Sequence, residues 1–212
     1  MAHGMLSTPS SGIVVNGEAR AYPKRILAWH ELALDTVGGV KLAVVYCTLC
    51  GTVVPYETVA GGRSFTLGTS GLLYRSNKLM FDAETKSLWS TIEGRPVVGP
   101  LAGSPIVLKY RPVVTTTWKE WRAAHPATTV LSLDTGHRRD YDEGVAYRSY
   151  FSHDDLMFEV PGQDKRLKRK AEVLTFIAGV DQARVPVALD AAFLRKNPVH
   201  SFSAASVSYL VL

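Results

Sequence analysis

Two tight-turn signals, Asn16-Gly17 and Gly38-Gly39, each flanked by short runs rich in β-branched residues, constrain the N-terminal part of this chain more than any other feature. Such pairs supply the positive φ angles that a two-residue hairpin turn demands, so each predicts two antiparallel strands rather than a helix. The first predicted hairpin joins residues 13–15 to residues 18–22 and is ended by Pro23; the second joins residues 33–37 to residues 40–46 and runs directly into Cys47-Thr48-Leu49-Cys50-Gly51. Between them, residues 24–32 place Ile26, Leu27, His30 and then Leu34 near one face of a short helix, with Trp29 beside them.

The same reading predicts further strands at residues 53–58, 64–68, 72–74, 79–82, 87–90 and 97–98, with turns at Gly61-Gly62 and at Glu93-Gly94-Arg95-Pro96. Residues 115–125 give the best helical pattern, with threonines available as N-cap and Pro126 just beyond the end. The expected class is therefore α+β and predominantly β, with mixed or antiparallel sheets or a barrel-like core and a few short helices. Residues 1–11 are small and polar and are expected to be disordered, leaving one domain from residue 12 to residue 212.

A partial repeat of residues 14–46 is expected at residues 176–210. Aligning Pro23 with Pro186 pairs His30 with Phe193 and Cys47 with Leu210, which would mean that one copy of the unit is built without the imidazole and the thiol.

Composition narrows the partners. A formal charge of +5 over 212 residues does not call for nucleic acid, and the basic run Lys165, Arg166, Lys168, Arg169, Lys170 lacks interleaved aromatics and reads as a solvated loop. No stretch has the roughly 20 apolar residues of a membrane-spanning helix, and the N-terminus lacks a basic segment followed by an apolar run, so a soluble chain without a signal peptide is expected. The two cysteines lie too close in sequence to staple a scaffold, which points to chemistry rather than cross-linking.

A Cys-x-x-Cys turn lets two sulfurs converge on each other or on one soft metal. A closed zinc site wants four ligands and no second cysteine pair exists, so zinc is the alternative and a low-coordinate copper site is the expectation, with His30 as third ligand beside Cys47 and Cys50. A redox dithiol is the rival reading. A cysteine nucleophile served by His30 or His137 and oriented by Asp140 is a third. The segment 132–141 is dense in polar groups suited to an acidic ligand or a capped loop. Tyr46, Trp89, Arg139 and Asp140 are the expected substrate-binding residues, and a small-molecule substrate or a metal donor or acceptor is the expected partner.

The residues that carry a resemblance are Asn16-Gly17-Glu18-Ala19-Arg20-Ala21-Tyr22-Pro23, Trp29-His30-Glu31, Asp35-Thr36-Val37-Gly38-Gly39 and Tyr46-Cys47-Thr48-Leu49-Cys50-Gly51-Thr52. They continue through Leu73-Tyr74, Ser87-Leu88-Trp89, Gly99-Pro100-Leu101, Trp118, His125-Pro126, Asp134-Thr135-Gly136 and Arg139-Asp140-Tyr141. In order and over most of its length the chain resembles a bacterial family known as domain of unknown function 3179. Members of that family often look exported or lipid-anchored; the resemblance implies no particular activity.

Overall fold

The computed structural model describes residues 8–162, 164–180 and 183–211. Contacts divide the chain into two compact units, residues 1–153 and residues 154–212, where the sequence alone suggests one domain.

The first unit opens with β1 (Pro9–Val15) and β2 (Glu18–Pro23), followed by α1 (Lys24–His30), β3 (Leu32–Val37) and β4 (Val40–Cys47). Next come β5 (Thr52–Glu57), β6 (Val59–Ala60), β7 (Arg63–Ser64), β8 (Leu67–Tyr74), β9 (Asn77–Asp82), β10 (Leu88–Ser90) and β11 (Pro96–Val98). The unit closes with β12 (Val114–Thr117), α2 (Trp118–Ala124), β13 (Thr129–Val130) and α3 (Arg148–Phe151). Its sheets run β12-β1-β2-β13, β3-β4-β5, β11-β10-β9-β8 and the small pair β6-β7. All pairings are antiparallel except β13 with β2, so the fold is α+β and predominantly β.

Both predicted tight turns form. Asn16 and Gly17 have φ of 49° and 84°, and Gly38 and Gly39 have φ of 54° and 77°, as a hairpin turn matched to strand twist requires. β1 nevertheless begins at Pro9, ahead of the apolar run at Ile13 and inside the segment expected to be disordered. Ser10 and Ser11 are fully buried there, paired with β2 on one side and β12 on the other. Residues 1–7 of that segment lie outside the described residues. The helix expected over residues 115–125 starts three residues late, because Thr115 and Thr116 pair with β1. Thr117 then caps α2 through a reciprocal capping box with Glu120.

β4 is the wall that organises this unit, and six of its eight residues are buried. Side chains alternate across a strand, so Leu42, Val44 and Tyr46 pack with Ile13, Val15, Tyr22, Leu27 and Val37 in one core cluster. Ala43 and Val45 face the other cluster, with Tyr56, Phe65, Leu67, Met80, Trp89 and Leu108. Cys47 continues the parity of Ala43 and Val45. Lys78 shares the parity of Met80 on β9. The alternation thus brings a thiol and an ammonium to the same end of one core cluster.

The second unit contains β14 (Val173–Ala178), β15 (Val185–Asp190), α4 (Ala191–Lys196), β16 (His200–Ala204) and β17 (Val207–Val211), paired β14 with β15 and β16 with β17. Its order of strand, strand, helix, strand, strand is that of β1 through β4. β15 and β2 are both six residues long and each leads straight into its helix, which aligns Pro23 with Asp190 and His30 with Asn197. On this register Gly38-Gly39 meets Ala205-Ser206, which also have positive φ, of 50° and 61°. This register differs by four residues from the one that pairs Pro23 with Pro186.

Candidate functional site

The dithiol sits in a four-residue hairpin loop between β4 and β5, where Cys47 pairs with Thr52. The Cys47 carbonyl accepts the N–H groups of Cys50 at 3.2 Å and Gly51 at 2.8 Å, closing a tight turn. Gly51, at φ of 69°, takes the left-handed conformation that returns the chain to β5. Thr48 Oγ1 donates to the Ala28 carbonyl at 3.1 Å and fastens the turn to α1.

Cys47 is buried and Cys50 exposed, and both are free thiols. A hydrogen bond with the Cys50 side chain is the main cause that brings the Cys47 thiol down to about 7. Burial opposes the drop, while the backbone N–H groups of Cys50 and Lys78 and the Lys78 charge support it. The Cys50 thiol is pushed up by the same hydrogen bond, by burial and by the Cys47 charge. Two thiols therefore hold one proton between them once the first has left. Cys50 Sγ also lies 3.7 Å from the Ser76 carbonyl.

Lys78 is a lysine 6 % exposed at the edge of a core cluster, and such a charge needs a partner. Its Nζ donates to the Glu31 carboxylate at 2.9 Å and to the Glu31 carbonyl at 3.3 Å. Burial draws Lys78 down, while Glu31 and the two thiols oppose that fall. Glu31 is in the left-handed region at φ of 60°, an uncommon conformation for a residue with a side chain. That conformation ends α1. The Glu31 N–H donates to the Leu27 carbonyl, its own carbonyl accepts Tyr46 N–H at 2.8 Å, and its carboxylate also accepts Thr69 Oγ1 at 2.8 Å. Tyr147 and Tyr150 complete the surroundings; burial raises both phenols, and the Cys47 charge adds to the rise in each.

His30, expected to join the thiols, makes its contacts elsewhere. Its Nε2 lies 2.5 Å from the Tyr141 hydroxyl, its ring centroid is 5.3 Å from that of His137, and Tyr141 in turn bonds Thr135 Oγ1 at 2.6 Å. Among the described residues no group of three His, Cys, Asp or Glu side chains is arranged to hold a metal. Backbone direction explains the divergence: the left-handed turn at Glu31 separates two consecutive side chains, sending the carboxylate to Lys78 and leaving the imidazole with the segment 135–141.

The expected substrate-binding residues divide similarly. Trp89 is fully buried, edge-on to Phe65, and its Nε1 donates to Asp82 Oδ2 at 2.8 Å, so it serves the core. Asp82 is held by Thr85 as well, in a local hydrogen-bonded turn. Tyr46 is 6 % exposed and belongs to the core cluster behind the dithiol. Arg139 lies over the Trp29 ring at 5.6 Å, and the Asp140 carbonyl accepts Trp29 Nε1 at 2.7 Å, while the Asp140 carboxylate accepts the Asp142 N–H. Sequence reasoning missed Glu31 and Lys78. A lysine inside an otherwise apolar strand, Lys78-Leu79-Met80-Phe81, was the available signal.

Residues 8–212 match the family described as "Protein of unknown function (DUF3179)", essentially the whole chain, and the protein belongs to that family. Neither the curated proteins nor the solved structures give a match.

Proposed function

We propose that this DUF3179 protein is a thiol–disulfide oxidoreductase whose reacting pair is Cys50 and Cys47. The observation that carries the reading is a Cys-x-x-Cys turn with one exposed and one buried free thiol beside the buried Lys78. The neighbouring thiol, backbone N–H groups and the Lys78 charge draw Cys47 down to about 7, which makes a thiolate available near neutral pH. A partner disulfide reaches Cys50, the exposed sulfur. Shift of the shared proton to Cys47 leaves Cys50 as thiolate; it attacks one partner sulfur, and the other leaves as a thiolate that takes up a proton. Cys47 then gives up its proton and attacks Cys50 in the mixed disulfide, releasing the second partner sulfur. The balance is a Cys47–Cys50 disulfide and a reduced partner dithiol, two electrons having passed to the partner.

The test is equilibration of metal-free protein in glutathione buffers of graded potential, with free thiols counted by mass tagging. A reversible two-electron transition confined to Cys47 and Cys50 supports the proposal. Absence of an intramolecular disulfide under every condition removes it.

A second reading is favoured by the same convergence of sulfurs with no third ligand beside them among the described residues. Two thiolates alone suit copper(I), which soft ligands select and which accepts low coordination, whereas zinc asks for more donors. Copper(I) titration in the reduced state separates the two. Stoichiometric, tight binding lost in Cys47→Ser/Cys50→Ser, with no measurable disulfide couple, assigns the dithiol to metal instead.

A further inference from the structure

The cluster around His30 is not explained by the dithiol. α1 presents Trp29 and His30 to residues 135–141. There Arg139 lies over the indole, His137 lies at 43° to His30, and Tyr141 and Thr135 form a hydroxyl relay onto His30 Nε2. When Tyr141 donates to Nε2, the neutral His30 ring carries its proton on Nδ1.

Among the described residues, His30, His137 and Arg139 make no salt bridge; of the carboxylates next to them in sequence, Glu31 pairs with Lys78 and Asp140 accepts the Asp142 N–H. Three groups able to carry positive charge are thus gathered by an aromatic platform without a neutralising partner. Burial and then the charges of His137 and Arg139 push His30 below its ordinary value, as expected of cations held together. A bound metal ion is disfavoured by the same guanidinium, with Arg138 next to it in the chain.

We propose that His30, His137 and Arg139, backed by Trp29 and Tyr141, form a binding site for an oxyanion, a carboxylate or a phosphate group. A guanidinium supplies paired N–H donors matched to two oxygens of such a group, and two imidazoles add donors from the side. The site lies one residue along the chain from Glu31, yet it rests on its own contacts and not on the redox reading.

Inorganic phosphate and acetate, titrated separately into the reduced protein and followed by the ring resonances of the histidines, test this directly. Saturable shifts at His30 and His137 are expected, weakened about tenfold in Arg139→Gln, which loses the charge-assisted pair. Response to phosphate alone identifies a phosphate group, and response to acetate alone identifies a carboxylate. The same titration in Cys47→Ser/Cys50→Ser must give the same affinities, which keeps the outcome independent of the dithiol. No saturable shift with either anion, or equal affinity in Arg139→Gln, overturns the proposal.

Discussion

Glu31 and His30 are neighbours in sequence and opposites in surroundings. Glu31 closes a charge pair with a buried lysine and receives further hydrogen bonds from Thr69 and Tyr46, so its cluster is locked. His30 stands beside His137 and Arg139, which make no salt bridge among the described residues, and burial and these neighbours push it below its ordinary value. The difference teaches that one left-handed residue at a helix end can divide a polar surface into a cluster whose charges are paired and a cluster whose basic groups make no salt bridge among the described residues. Backbone strain at such a position is found where the surrounding structure over-determines it, and here five hydrogen bonds hold Glu31.

The sharpest break between the two clusters is expected from Cys50→Ser. It should lower disulfide exchange by about a thousandfold or more while leaving the anion response intact. Cys47→Ser should instead trap the mixed disulfide on Cys50, visible by mass spectrometry. Next in size is Trp89→Phe, which removes the donor to the Asp82 carboxylate; a loss of about 2 kcal/mol in denaturant unfolding is expected. Neither cluster should change, because Trp89 belongs to the core.

Lys78→Met sharpens the comparison from the reactive side. Removing the ammonium should move the thiol titration upward from about 7 and slow alkylation several-fold below neutral pH, with phosphate affinity unaffected. An equal effect on both clusters would mean that they are one site. The smallest effect, about 1 kcal/mol of stability, is expected from Thr117→Ala, which removes the α2 cap far from either cluster in sequence.

Much of the fold was legible because turn chemistry is local. Asn16-Gly17 and Gly38-Gly39 fix their hairpins by conformational demand alone, and the second hairpin delivers Cys47 to a strand end as expected. The start of β1 was not legible, because Ser10 and Ser11 are buried by strand pairing that the sequence does not announce. The order of elements in the second unit suggests another register than the one set by proline matching. Proline at residue 186 matches Pro23 by type, whereas the helix start at Ala191 matches the helix start at Lys24. The thiol pair could be named from its spacing. Its electrostatic partners could not, since Glu31 and Lys78 meet across elements 47 residues apart. The His30 expectation followed chain direction, and one positive φ redirected it.

The most direct test is the pH dependence of alkylation in the metal-free, reduced protein, with each cysteine identified by mass spectrometry. A first ionisation with a midpoint near 7 is predicted, with the rate at Cys50 rising with pH up to that point and flat above it until the second proton leaves. Two independent thiols both titrating in the ordinary range of about 8.5 would contradict it, and with it the dithiol account.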